Sequence, residues 1–83
     1  MAAKAFKTKS AGKDGGFVQV FYNGNYIYTG FETKIIKQNE ECALVKNGYD
    51  DLYIIMPNGR EVYNPYDKYG ISEFDRLIKK LYQ

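Results

Sequence analysis

One dipeptide, Asn-Gly, recurs at 23–24, 47–48 and 58–59, between short runs of β-branched and aromatic residues. Asn and Gly tolerate the positive φ angles that tight hairpin turns require. The runs that flank the first dipeptide, Phe17–Tyr22 and Asn25–Thr29, have the composition of strands. Three turn signals among such runs predict an antiparallel β-meander.

The later strands are predicted from the same pattern. Strands are expected near 42–45, 52–56 and 60–63, the last two flanking the third Asn-Gly turn. The segment 31–37 leaves two alternatives, because it can continue the second strand past Gly30 through a bulge or begin a new strand. The sequence therefore predicts four to five strands.

The C-terminal residues change to a helical period. Apolar side chains recur at helical spacing at Ile71, Phe74, Leu77, Ile78 and Leu81. Ser72 is a favourable N-cap, Glu73 follows it in the first turn, and lysines occupy the last turn. We expect an α+β fold, in which a curved antiparallel meander of four to five strands is packed by one C-terminal α-helix.

The first sixteen residues have a different character. They contain one large apolar residue, Phe6, and end in a glycine-rich stretch. They carry four lysines against one acid, whereas residues 17–83 carry eight cationic and nine anionic side chains. A segment with so little apolar surface is typical of a disordered chain. We therefore predict a flexible basic arm over 1–16, before a single α+β domain over 17–83. The arm could be a solubilising tail, a cationic segment that binds phosphate or an acidic partner, or a targeting peptide.

Several classes of function are excluded by residue usage. The chain has no His and a single Cys42, so it forms neither an intrachain disulfide nor the usual Cys/His zinc site. A nucleophilic triad of the usual kind also needs His. We expect Cys42 to be a buried core residue. The sequence predicts a protein that is not an enzyme, uses no metal and no cofactor, and resides in a reducing, intracellular (cytoplasmic) compartment.

Aromatic residues make up 17% of the chain, with nine Tyr and five Phe, and call for an explanation. A two-residue turn at 23–24 pairs 21 with 26 and 20 with 27, which predicts an aromatic face opposite the Val18 and Val20 face. The expected partner-binding residues are four on that face and two in the loop before the helix: Phe17, Phe21, Tyr26, Tyr28, Tyr66 and Tyr69. Cross-strand Tyr pairs that simply half-bury themselves are the structural alternative.

These observations favour a non-catalytic protein-binding module that docks through the Tyr-rich face. A small stoichiometric inhibitor or adaptor, of the kind that bacteriophages and mobile elements often encode, would suit such a domain. One alternative is a protein that binds single-stranded nucleic acid, with bases stacked on the aromatic residues. In that alternative the phosphates are held by the lysines of the arm: Lys4, Lys7, Lys9 and Lys13. A third alternative is a homodimer formed through an edge strand. No membrane partner is expected.

Overall fold

Two antiparallel sheets and one helix form the fold, in a computed structural model that describes residues 5–10, 16–63 and 73–83. The strands of the N-terminal sheet are β1 (Phe6–Ser10), β2 (Phe17–Tyr22) and β3 (Asn25–Phe31). The strands of the C-terminal sheet are β4 (Lys34–Gln38), β5 (Ala43–Lys46), β6 (Leu52–Ile55) and β7 (Glu61–Tyr63). The helix α1 spans Glu73–Leu81. The predicted α+β class is confirmed. The described residues form seven strands in two sheets, however, where four to five strands in one meander were expected.

The turn of the first hairpin lies at 23–24, as the sequence predicts. Asn23 and Gly24 both have positive φ, at 50° and 86°, and Phe21 pairs with Tyr26. The register then shifts, so that Val20 pairs with Tyr28 instead of Ile27. This β-bulge moves Tyr28 to the Val20 side of the sheet. The prediction that Tyr28 shares a face with Phe21 is therefore wrong, because the pairing was extrapolated without the extra residue.

Residues 6–10 are a strand and not the flexible arm that the sequence predicts. β1 pairs along its whole length with β2, and Phe6 is only 1% exposed, with its ring centroid 4.8 Å from that of Tyr22. The side chain of Gln38 reinforces this strand: its amide nitrogen donates to the Phe6 carbonyl, and its oxygen accepts from the Phe6 N–H, both at 2.9 Å. A single buried ring and a complete ladder are enough to order the strand, so the folded unit extends to the N-terminal side of residue 17.

The segment 31–37, for which the sequence allows two alternatives, is shared between two strands. β3 continues through Gly30 to Phe31, and β4 begins at Lys34. Glu32 makes the connection with a left-handed backbone, at φ 46°, and its N–H donates to the Gly16 carbonyl at 2.6 Å. The change of sheet therefore takes place at Glu32 and Thr33.

The two later Asn-Gly dipeptides behave differently from each other. At 57–59 the predicted turn is confirmed, since Gly59 has a φ of 88° and donates to the Met56 carbonyl at 2.8 Å. At 47–48 the loop is longer than a two-residue turn, and Asp50 is the left-handed residue, at φ 64°. The Asn47 side-chain oxygen accepts from two backbone N–H groups of this loop and so holds it in place.

The C-terminal sheet is the middle layer of three. One of its faces packs against the helix, in a cluster of Cys42, Leu44, Ile54, Val62, Phe74, Leu77 and Leu81. Its other face packs against the N-terminal sheet, in a cluster of Phe6, Val20, Ala43, Val45, Tyr53 and Ile55. The helical stripe and the burial of Cys42 are thus confirmed, while Ile71 and Ser72 lie outside the described residues. The helix that this part of the chain forms, nine residues long, is too short and too polar to cross a membrane.

Candidate functional site

Among the described residues, no layer covers one face of the N-terminal sheet. We call it the outer face, because it points away from the C-terminal sheet. Side chains alternate along a strand and cross-strand partners share a face, so the register defines its members. They are Lys7, Lys9, Phe17, Gln19, Phe21, Tyr26, Thr29 and Phe31.

The row nearest the first hairpin turn combines a cation with two aromatic rings. Lys7 pairs with Phe21, and Phe21 pairs with Tyr26, so the three side chains lie side by side across the three strands. The rings of Phe21 and Tyr26 meet edge to face, with centroids 6.0 Å apart. Tyr26 is 57% exposed. This row therefore presents a lysine on one side strand and an accessible ring on the other, with Phe21 between them.

The middle row is polar. Lys9 pairs with Gln19, and Gln19 pairs with Thr29. The Thr29 hydroxyl lies 2.6 Å from that of Tyr26, which ties the middle row to the first one and limits the rotation of the Tyr26 ring. Hydrogen-bonding groups thus lie between the aromatic rows.

A second aromatic cluster lies at the opposite end of the outer face. Phe17 and Phe31 pack edge to face at 5.9 Å, and Tyr49 reaches the Phe31 ring from the loop between β5 and β6, at 5.2 Å. Gly48 makes this approach possible, because a Cβ atom there would lie 2.6 Å from the Phe31 ring. Its N–H also donates to the Phe31 carbonyl at 2.9 Å. Phe17 and Phe21 are four residues apart on β2, so the two clusters are about 13 Å apart.

All charged side chains on the strands of the N-terminal sheet are cationic. Strands β1, β2 and β3 contain Lys7 and Lys9 and no Asp or Glu. Within the described ranges neither lysine has an ion-pair partner. The ion pairs that the structure does contain lie outside the outer face: Lys46–Asp50, Arg60–Glu73 and Lys80–Glu41. The outer face is therefore a positive surface on a chain whose net charge is only +2.

Tyr28 lies on the inner side of the sheet. Its hydroxyl is 2.9 Å from that of Tyr53, which is 1% exposed and stacks on Tyr63 with centroids 5.0 Å apart. Burial is the main cause that raises the pKa of the Tyr28 hydroxyl well above its usual value, and the hydrogen bonds to Tyr53 and Glu61 act in the same direction. Tyr28 is thus partly buried against the cluster between the two sheets and does not belong to the outer face.

The structure unites two sets of residues that the sequence treats separately. It brings Phe17, Phe21 and Tyr26 of the predicted aromatic face together with Lys7 and Lys9 of the predicted arm. The other predicted site residues lie outside the described residues: Lys4, Lys13, Tyr66 and Tyr69.

Sequence reasoning missed two residues of the surface, Phe31 and Tyr49. A bulge beside Tyr28 would have placed Phe31 on the same face as Phe17, so the alternation of β3 held a usable signal for it. No local signal identifies Tyr49, because its position depends on a contact between two loops that are distant in sequence.

The described residues contain few groups that could act as a nucleophile or bind a metal ion. Burial raises the pKa of the Cys42 thiol to about 11, so it is protonated at neutral pH and a poor nucleophile. No group of three His, Cys, Asp or Glu side chains that could hold a metal ion occurs in this part of the chain. The outer face is thus the feature that a functional account has to explain.

No protein-family model matches the chain, and no curated protein or solved structure shows significant similarity to it. The functional conclusion therefore depends on the geometry of the outer face.

Proposed function

We propose that this protein is a non-catalytic module that binds single-stranded nucleic acid on the outer face. The observation that carries the proposal is the row Lys7, Phe21 and Tyr26, in which a cation lies next to aromatic rings on a sheet without acidic residues. Binders of single strands combine a positive surface that follows the phosphates with rings on which bases stack. Both parts lie on this face.

The lysines favour a nucleic acid over a protein as the ligand. Lys is depleted at protein interfaces, because desolvating an unpaired ammonium group is unfavourable. The outer face supplies no acid to pair with Lys7 or Lys9, so any partner has to bring the negative charge itself. A phosphate backbone does so at every nucleotide. The same argument disfavours a homodimer formed through this face, since the second copy would bring two more lysines and no acid.

The arrangement of the rings suits an extended strand. Two aromatic clusters, about 13 Å apart, are separated by the polar row of Gln19 and Thr29. Bases can stack on either aromatic cluster, while the nucleotides between them lie within reach of the hydrogen-bonding side chains of the polar row. Stacking depends on the π-face that all bases share, so binding at these positions is tolerant of sequence.

Protein docking remains the second candidate, and one observation favours it. The cluster of Phe17, Phe31 and Tyr49 has no lysine in its row, and Phe17 and Tyr49 are 51% and 73% exposed. An exposed aromatic patch of this kind suits a small inhibitor or adaptor that docks on another protein. A reducing intracellular compartment, where Cys42 remains a free thiol, suits both candidates.

A titration with two matched tyrosine variants tests the proposal. A fluorescent mixed-sequence single strand of about 12 nucleotides is titrated with protein at about 50 mM salt, and its anisotropy is followed. Tyr26→Ala and Tyr82→Ala remove equally exposed rings, at 57% and 58%, but Tyr82 follows the helix on the other side of the middle layer. Far-UV circular dichroism verifies that both variants fold.

We expect Tyr26→Ala to weaken binding by about fivefold to 100-fold, the range of one base-stacking contact. Tyr82→Ala should leave the affinity unchanged. An equal loss in both variants would mean that binding does not occur on the outer face. Absence of binding by the unmodified protein would refute the proposal and leave protein docking as the account of this surface.

A further inference from the structure

The two lysines of the outer face lie in line along one strand. Lys7 and Lys9 are two residues apart on β1, so their side chains leave the same side of the strand about 7 Å apart. β1 is an outermost strand among the described strands of the N-terminal sheet. The cations of this face therefore form a short row along one margin of the sheet.

The exposed rings lie away from this row, toward β2 and β3. Tyr26 is on β3, at the end of the face nearest the first hairpin turn. At the opposite end Phe17 is on β2, and Tyr49 lies against the Phe31 ring. Neighbouring strands are about 4.8 Å apart, so a residue of β3 lies about 10 Å from β1. A nucleotide that runs across the strands can thus place its phosphate near β1 and its base on a ring.

The spacings along the strands agree with those of an extended nucleotide chain. One strand of a duplex advances about 3.4 Å per nucleotide, and a strand whose bases leave that stack extends to about twice this distance. The step of about 7 Å between the two lysines is thus one nucleotide, and the 13 Å or so between the two aromatic clusters is two. Three nucleotides therefore span the face, and their two connecting phosphates lie within reach of the flexible Lys7 and Lys9 side chains.

The row between the two aromatic clusters provides a different environment for the central base. Gln19 and Thr29 are paired there, beside Lys9, and the Thr29 hydroxyl is already 2.6 Å from that of Tyr26. No aromatic side chain belongs to this row. A base at the central position therefore meets amide and hydroxyl groups and has no ring on which to stack.

We propose that the outer face binds a segment of three nucleotides, with the first and third bases stacked on the two aromatic clusters and the second base over the polar row. The inference rests on the proposed function, because it gives the length and placement of the strand that this function requires. Charge complementarity selects this occupant, since a trinucleotide has two connecting phosphates and the described face has two lysines. The two stacked ends and the central step use every row of the face.

Trimers of deoxythymidine test this placement by competition. A fluorescent mixed-sequence single strand of about 12 nucleotides is bound to the protein at about 50 mM salt, and its displacement by unlabelled trimers is followed by anisotropy. Three further trimers carry an abasic nucleotide at the first, second or third position, which removes the base and keeps the phosphates. We expect loss of an end base to weaken competition by about fivefold to 100-fold, the range of one stacking contact, and loss of the central base by less than about twofold.

A protein variant then assigns one end of the trimer to one cluster. In Tyr26→Ala, removal of the base at one end of the trimer should weaken competition by less than about twofold, because the ring that it stacks on is already missing. Removal of the base at the other end should keep its full effect. The insensitive end also gives the direction in which the strand crosses the face. Tyr82→Ala is the matched control, and both end bases should keep their full effect in it.

The outcomes separate this inference from the proposed function. If the longer strand binds but the unmodified trimer does not displace it even in large excess, the site is longer than three nucleotides and the inference is overturned. Equal losses at all three positions would also overturn it, as would a full effect of both end bases in Tyr26→Ala. In each of these cases the proposed function stands. Absence of binding by the fluorescent strand would refute both proposals.

Discussion

Phe6→Ala is the substitution that most directly tests whether β1 belongs to the folded core. The ring is 1% exposed, contacts Tyr22, and lies in the cluster between the two sheets. Truncation of a buried Phe to Ala costs about 3–5 kcal/mol. Area arithmetic agrees, since burial of about 150 Å² of aromatic surface at 25 cal/mol per Å² contributes about 4 kcal/mol.

This loss is large for a domain of 83 residues. At about 0.05–0.15 kcal/mol per residue, the whole chain has a free energy of unfolding of about 4–12 kcal/mol. Phe6→Ala therefore removes about a quarter or more of the stability, and at the lower end of the stability range it leaves the protein at or near its unfolding threshold. Phe6→Leu keeps most of the apolar volume and provides a milder variant that should still fold.

Urea unfolding, followed by circular dichroism, measures the effect. Lys9→Ala is the matched control, because Lys9 is an exposed residue of the same strand and its loss should change the stability by less than about 0.5 kcal/mol. We expect the order of stability to be unmodified protein and Lys9→Ala, then Phe6→Leu, then Phe6→Ala. A loss below about 1 kcal/mol in Phe6→Ala would show that the first strand is not part of the core.

Two further predictions concern turns and pH. Gly24→Ala should lower the free energy of unfolding by about 1–2 kcal/mol, because its positive φ alone disfavours Ala. Gly59→Ala should lower it further, because a Cβ atom there would also clash with the Ile27 carbonyl oxygen. Equal melting temperatures in the two variants would contradict this. Stability should fall as the pH rises from about 9 to about 11, because the Cys42 thiol ionises near 9 when the chain is unfolded and keeps its proton until about 11 when it is folded. The raised pKa of Tyr28 extends the decline to higher pH. Urea midpoints that stay constant from about pH 8 to pH 11 would refute this account, and Cys42→Ala should make the decline shallower.

Local signals in the sequence were enough for the hairpins and the helix. The turns at 23–24 and 57–59 depend on residues that tolerate positive φ, and the helix depends on an apolar stripe that includes Phe74 and Leu77. In each case the chain's local preference and its final structure agree.

The errors arose where long-range contacts override local preference. β1 looks like a polar tail, because the burial of Phe6 and its hydrogen bonds with Gln38 depend on residues more than thirty positions away. Tyr28 changes face because one extra residue enters the register, which composition does not reveal. The candidate site depends on both of these long-range features. The lysines and the rings form one surface only because β1 pairs with β2, and the bulge removes Tyr28 from that surface.

The dependence of nucleic-acid affinity on salt is the most direct test of the central claim, that Lys7 and Lys9 hold phosphates on the outer face. Each phosphate contact on a single strand contributes about −0.7 to the slope of log affinity against log salt. Lys7→Ala/Lys9→Ala should therefore make the slope shallower by about 1.4. Lys79→Ala/Lys80→Ala removes the same charge from the helix, on the other side of the middle layer, and should leave the slope unchanged. Equal slopes in the two double variants would contradict the account, because binding would then follow the net charge of the protein and not the outer face.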